Sequence, residues 1–574
     1  MSRRLKQKTV AEARAPVFAR PAQIASTPTG LDGVRVGNDK EGVQSWPGPF
    51  STARDIIAKR EDAKLRREER LANPESDDND EMDEEEELDE FDIKLKELKW
   101  SPKKIRNKYQ SLTPCLSLAE LCVKAYTTNI NNITSDVLSR ISDESKDQLL
   151  LAIARNRCMT PQVALSFVVE DSATVILPEC SLLSDHTFDS IFDKVLPHHN
   201  NNNSSSGTGE SSINIIQLMN AGHGFGDAVA DRLAPKIAQL EVFQVTGLYR
   251  LNDEALARLL IACQHSLRHF DVSSNYRLSS SSLQALRLDM LSSLTLDFCN
   301  HLTDEHLSLL VNSLTSPSSS FSSSSSSSSA HVSSLEHLSL VGLNLITDQA
   351  ITTLLAAVGP TLQSLNLAQC GLLTDTTLVT IRTHCSHLRD LDLSMIFNFT
   401  TFALIGLFID TASLSPTAPP LDPDADSDAV QMDPSLYDTN NINNYGTYAA
   451  SSPLSEGSIG MLESVNLKGV EGVTDDVLLH LVKNSQLTLK QLNLNGCYQL
   501  TSKSCVILMT YSNPNLHTLD LSFIRKVSED SVGALVEICS QLSTLTVWGC
   551  SQLTGRFYYG IREGVTVVGK PDWM

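Results

Sequence analysis

From position 172 onward the nine-residue pattern L-x-x-L-x-L-x-x-C/N keeps returning, and no other feature constrains the fold as tightly. It is clearest as LSSLTLDFC at 291, LQSLNLAQC at 362, LKQLNLNGC at 489 and LSTLTVWGC at 542. Looser copies begin at 240, 267, 335, 388, 462 and 516, and two worn ones, SATVILPEC and INIIQLMNA, at 172 and 213. Eight of the eleven start-to-start intervals lie between 24 and 27 residues. The three long intervals each hold one low-complexity insertion, near 198–212, 315–333 and 411–460. One period therefore governs residues 172–574, in about 12 repeats.

The L-x-L core of each copy reads as a short strand whose alternate side chains point inward. An x-L-T-D step follows, then an amphipathic helix. In LTDEHLSLLVNSL, Thr303 or Asp304 caps the helix start, and Leu307, Leu310, Val311 and Leu314 form one apolar stripe. A lone unit of this kind cannot bury its own apolar face, whereas stacked units share one core. The expected fold is an α/β leucine-rich-repeat solenoid: a curved right-handed superhelix with a parallel strand ladder inside and helices outside. Aromatics make up only 6% of the chain, so that core is mainly aliphatic.

Two regions precede the repeats. Residues 1–110 read as a disordered charged tail, with the acidic block ESDDNDEMDEEEELDEFD followed by the basic KLKELKWSPKKIRNK. Blocks of like charge repel themselves and stay solvated. Residues 112–170 read as a small helical cap, with apolar residues three and four apart in SLAELCVKAY and SKDQLLLAIARNR. Thr160-Pro161 looks like a helix start with proline at its first position. The net charge of −22 argues against a protein that coats nucleic acid, leaving the basic tail segments as the place for any such contact. No apolar run reaches membrane-spanning length, and the first residues lack the apolar stretch of a secretion signal, so neither a membrane nor export is expected.

Of the twelve cysteines, Cys180, Cys299, Cys370, Cys497 and Cys550 occupy the ninth repeat position, while Cys263, Cys385, Cys505 and Cys539 fall on inward helix positions. They read as small hydrophobes lining the core. The chain has no G-x-S-x-G, phosphate loop, H-E-x-x-H or C-x-x-C. No catalytic residue, metal site or cofactor is expected, and no small-molecule substrate. Binding belongs instead to the strand face. The fifth repeat position carries Asp271, Asn366, Asp392, Asn493 and Asp520, with no lysine or arginine along the line. Positions seven and eight add Asp297 and the large apolar Phe298, Met395, Phe523 and Trp548. Such a surface suits a polar or basic protein segment, with the large groups as anchors.

The cysteine-containing repeat of about 26 residues resembles the repeats of F-box/LRR-type ubiquitin-ligase substrate receptors. A narrower resemblance joins WPGPFSTARDII at 46–57, the helical block with SLAELCVKAYTTNINNI, the worn first repeat ILPECSLLSD and the ending LTVWGCSQLTGRFYYGI. Together these look like the fungal leucine-rich-repeat factor of global-genome nucleotide excision repair and its plant and algal relatives. That resemblance implies a non-catalytic nuclear subunit, with the cytoplasm as the alternative location. It pairs with a helicase-like repair partner and joins a cullin through a Skp1- or elongin-C-like adaptor. The adaptor-binding box of such receptors reads small-L-x-x-x-C-x-x-x-aliphatic. Ser117, Leu118 and Cys122 match it, Leu121 lies between them, and Tyr126 takes the last, normally aliphatic, place. In a helix Leu118, Cys122 and Tyr126 share a face that either enters an adaptor groove or caps the first repeat. The expected function is substrate recognition for a cullin-RING ubiquitin ligase, SCF-like or elongin-linked. The alternative is a scaffold of a DNA-repair or chromatin complex without ligase coupling.

Overall fold

Each strand is only three or four residues long, so stability has to come from stacking one repeat on the next. The computed structural model describes residues 89–102, 117–170, 172–195, 213–315, 333–409, 461–511 and 515–570. Thirteen strands, from Thr174–Leu177 to Thr566–Val568, pair in sequence order in one open parallel sheet. The inward leucines stand in register: Leu294 beside Leu338, Leu338 beside Leu365, Leu365 beside Leu391, none more than 2% exposed. Neighbouring leucines are thus about 4.8 Å apart, and burying each contributes about 2 kcal/mol. The chain folds as an α/β leucine-rich-repeat solenoid.

Helices follow the strands and close the core from the other side. Helix Asp348–Val358 buries Ala350, Ile351, Leu354, Leu355 and Val358. In Asp304–Thr315, Leu307 and Leu310 are fully buried while Val311 and Leu314 pack at its edge. The last strand, Thr566–Val568, escapes the leucine template because it pairs on one side only and its central Val567 is part-buried. The insertions expected at 198–212, 315–333 and 411–460 lie outside the described residues, apart from Thr315 and Ser333. Among the described residues no helix is long and apolar enough to cross a membrane.

Ahead of the repeats, residues 117–170 form four α-helices and a single 3-10 turn, Ile130–Asn132. The last, Pro161–Phe167, starts as the Thr-Pro pair predicts, with the Thr160 hydroxyl accepting from the Val163 N–H at 3.4 Å. This helix packs on Asp185–Val195 of the first repeat, where the Lys194 ammonium donates to the Leu165 carbonyl at 2.9 Å.

The charged tail departs from its expected disorder at its end. Residues 89–102 form a strap whose helix α1 (Glu90–Glu97) lies on helix Ser502–Thr510. Asp89 caps α1 through its first amides and also meets Lys503, which lies 3.6 Å from Asp92. Phe91 approaches Tyr511, and Trp100 is buried beside Phe557, ring centroids 6.1 Å apart. Charge runs hide this contact from a composition-based reading, because two aromatics and one ion-paired lysine outweigh the solvation of the acids around them. The rest of the tail lies outside the described residues.

Candidate protein-docking surfaces

Each repeat from the one at 213 onward turns sharply after its strand, and the backbone does so at the eighth position with positive φ. Glycine stands there in five repeats: Gly247, Gly342, Gly469, Gly496 and Gly549. Phe298, Met395 and Phe523 hold the same left-handed conformation, at φ 57°, 60° and 64°. For a residue with a Cβ this region costs about 1–2 kcal/mol, and bulky side chains seldom adopt it. The three recur every third repeat, and each leans on the glycine of the following one. A Cβ on Gly342 would lie 2.7 Å from the Phe298 ring, one on Gly469 2.7 Å from the Met395 sulfur, and one on Gly549 2.6 Å from the Phe523 ring. The pairing is therefore large on small. It presents Phe298, Met395 and Phe523, with 39%, 37% and 46% of their surface free, beside the half-exposed Trp548. A second exposed line follows at positions ten and eleven: Tyr249, Tyr276, Leu345, Leu372, Phe397 and Tyr498. The sequence reading missed this line, although its signal, an apolar residue in an otherwise polar loop, was present.

The fifth-position residues have local work. Asp271, Asn366, Asp392, Asn493 and Asp520 each accept from the backbone N–H two residues on, at 2.8–3.0 Å, and so hold the same turn. Asn366, Asp392, Asn493 and Asp520 do come together around one open cavity of about 350 Å³ on the strand face, which has no lysine or arginine in its lining. Asp271, Asp297, Phe298, Met395, Phe523 and Trp548 lie outside that lining. The Asp297 carboxylate accepts from the Ser339 hydroxyl at 2.7 Å and the Val341 N–H at 2.9 Å. Burial pushes its carboxyl above the usual range, and the charges of Asp271 and Asp392 push the same way.

Phe298→Asn provides a check on the strain. Asparagine tolerates the left-handed turn, so the loss of ring contacts and the relief of strain should nearly cancel. Denaturant melts are expected to differ from the parent by under about 1 kcal/mol, against about 3–5 kcal/mol for a buried ring such as Phe270→Ala.

The T-D acids answer to the next repeat. Asp304 accepts from the N–H and hydroxyl of Thr347, Asp348 from Thr374, Asp375 from Thr400 and Asp475 from Thr501. Each first-turn carboxylate thus fixes the start of the following helix, a bond between repeats that spacing alone did not reveal. The ninth-position thiols act similarly. Those of Cys299, Cys370, Cys497 and Cys550 donate to the sixth-position carbonyl of the preceding repeat, at 3.1–3.6 Å. Burial pushes the Cys497 thiol up to about 12, so it stays protonated and unreactive at neutral pH. Nine cysteines are buried, and Cys115 lies outside the described residues. Among the described residues no cluster of His, Cys, Asp or Glu is placed to hold a metal ion.

The second surface is helix α2 (Leu118–Thr128). Ser117 and Glu120 form a reciprocal cap: the Ser117 hydroxyl accepts from the Glu120 N–H at 3.2 Å, and the Glu120 carboxylate accepts from the Ser117 N–H at 2.6 Å. Leu118 is 79% and Leu121 49% exposed, and Cys122 and Ala125 are exposed too. These four follow the i, i+3, i+4, i+7 spacing of one stripe. Tyr126 does not join them, because it packs part-buried against the core.

No protein-family model matches the chain. It is similar to the DNA repair protein RAD7 of Saccharomyces cerevisiae, 22% identical over 472 residues, which is 79% of this chain and 70% of that protein. Among solved structures it is similar to a chain in the crystal structure of the yeast Rad7 and Elc1 complex. The TM-score is 0.53 at 20% identity, covering 79% of this chain and 98% of that one.

Proposed function

We propose, from the premise that this chain is a leucine-rich-repeat homologue of yeast Rad7, that it is a non-catalytic substrate-recognition subunit of an elongin-linked cullin-RING ubiquitin ligase acting in nuclear nucleotide excision repair. Helix α2 meets an elongin-C-like adaptor, and the solenoid holds the target protein for ubiquitin-dependent degradation. One observation carries the reading: a capped helix ahead of the repeats turns Leu118, Leu121, Cys122 and Ala125 to solvent. A stripe of that length and spacing suits a helix-in-groove contact, and Rad7 itself is solved in complex with Elc1. Because Tyr126 is committed to the core, Ala125 takes the last place of the box, and the stripe stays continuous.

For the target we assign the edge of the solenoid where the strands end. The large groups there are the anchors: Phe298, Met395, Phe523 and Trp548. The acids Asp271, Asp297, Asp392 and Asp520, with Asn366 and Asn493, set a negative field that favours a basic segment. Affinity purification of the full chain from cells tests the ligase reading. A cullin and an elongin-C-like protein are expected in the eluate, and both should vanish with Leu118→Asp/Cys122→Asp. A helicase-like partner recovered reproducibly without any cullin would replace the reading with the scaffold alternative.

A further inference from the structure

We propose that Ser101 is a phosphorylation site for a proline-directed protein kinase, and that its phosphate opens the strap of residues 89–102. Ser101 is exposed, although it sits between buried Trp100 and part-buried Pro102. Kinases of this class require proline after the acceptor because their pocket offers no partner for an N–H there, and proline has none. Two Ser/Thr-Pro pairs occur among the described residues. Thr160 is engaged as a helix cap and Pro161 begins that helix, so the chain following the acceptor is helical rather than extended. Ser101-Pro102 lies in a stretch without helix, strand or turn, and the proline biases the residue before it toward the extended backbone such an enzyme reads.

The seat of Trp100 shows why a phosphate would matter. Its ring fills a slot over two glycines in helices, Gly533 of Glu529–Ile538 and Gly560 of Gly555–Gly560. A Cβ at Gly533 would collide with the Trp100 ring, and one at Gly560 would collide with Pro102. One cation secures the strap here. The Arg556 guanidinium donates to the Trp100 carbonyl and lies 5.5 Å from the ring centroid. That same cation already faces two carboxylates, Glu529 at 3.8 Å and Asp530 at 4.0 Å.

In the reaction the Ser101 hydroxyl oxygen bonds to the γ-phosphorus of ATP, the bond to the β-phosphate bridge breaks, ADP leaves and the hydroxyl proton passes to the kinase base. The product adds a charge of about −1.5 to −2 at pH 7. On the residue next to Trp100, it draws Arg556 away from the carbonyl and ring and meets the charges of Glu529 and Asp530. Both effects loosen the seat. By linkage, the docked strap also protects Ser101, because a kinase needs several extended residues around its acceptor.

The test treats the full chain with a purified cyclin-dependent kinase and magnesium ATP, reading phosphate by peptide mass and strap docking by hydrogen exchange at Glu90–Glu97. Phosphate is expected on Ser101 and absent from Ser101→Ala. It should be incorporated at least 10-fold faster in Gly533→Val, which fills the slot and leaves the acceptor sequence intact. Trp100→Ala, a second way to undock the strap, should behave alike. Exchange in α1 should quicken at least 10-fold once Ser101 is modified. No phosphate on Ser101 in either slot variant would overturn the site. Phosphate with unchanged exchange in α1 would overturn the release.

Discussion

Asp253→Ala is expected to destabilise the solenoid by about 3 kcal/mol, the scale of losing several hydrogen bonds to one carboxylate. Asp253 opens its own helix, Asp253–Cys263, but its oxygens serve the next one, Ser280–Ala285. It accepts from the N–H and hydroxyl of Ser279, both at 2.8 Å, from the Ser281 N–H at 2.8 Å, and from the N–H and hydroxyl of buried Ser282. That helix has no side-chain cap of its own, so Asp253 supplies the acceptors its first amides need. Alanine leaves the buried Ser282 hydroxyl only the Ser279 carbonyl, 3.2 Å away, as an acceptor. The loss should appear as a lower denaturant midpoint and as faster hydrogen exchange in 280–285 before the rest of the solenoid.

The pH dependence has a definite sign. Burial alone raises the Asp253 carboxyl, but the bonds from Ser282 and Ser279 more than reverse that and hold it below the usual range. A carboxyl depressed in the folded state contributes stability above its unfolded pKa, about 3.9, and loses it as pH falls through the lower folded value. Asp475 runs the other way. Burial leaves its carboxyl raised despite the bonds from Thr501, so its charged form at neutral pH works against the fold. Asp475→Asn should therefore cost less at pH 7 than Asp253→Asn, and the gap should shrink on acidification toward pH 3. Melts of the two variants across that range check the ordering.

How far the sequence can be read follows from what each residue answers to. Leucines at positions four and six answer to a core, so their period exposes strands, helices and stacking order together, and buries Cys497 and its equivalents with them. Asp253 was passed over because its repeat reads Asn-Asp rather than Thr-Asp, and its partners lie more than 25 residues away. Phe298, Met395 and Phe523 were legible as large groups at a polar turn, but their left-handed backbone was not, since nothing in a phenylalanine announces positive φ. The fifth-position residues looked like a free binding line, while Asp271, Asn366, Asp392, Asn493 and Asp520 each spend an oxygen on their own turn. On α2 the box pattern picked out Ser117, Leu118 and Cys122, with Leu121 between them, and all four are exposed. Tyr126 could be separated from them only once the core that holds it was visible.

Leu118→Asp/Cys122→Asp should weaken adaptor binding at least about 100-fold, near 2.7 kcal/mol, because each aspartate would carry an unpaired charge into an apolar groove. Both parent side chains are exposed, so the variant should keep the stability of the parent within about 0.5 kcal/mol. Tyr126→Phe, on the buried side of the helix, should leave binding unchanged. The proposed seat of the adaptor is α2, and the decisive measurement is calorimetric titration of the full chain with a purified elongin-C-like adaptor. Saturable one-to-one binding by the parent and by Tyr126→Phe, lost in the double variant, is the predicted result. Equal affinity for parent and double variant, or no binding by the parent, would contradict it.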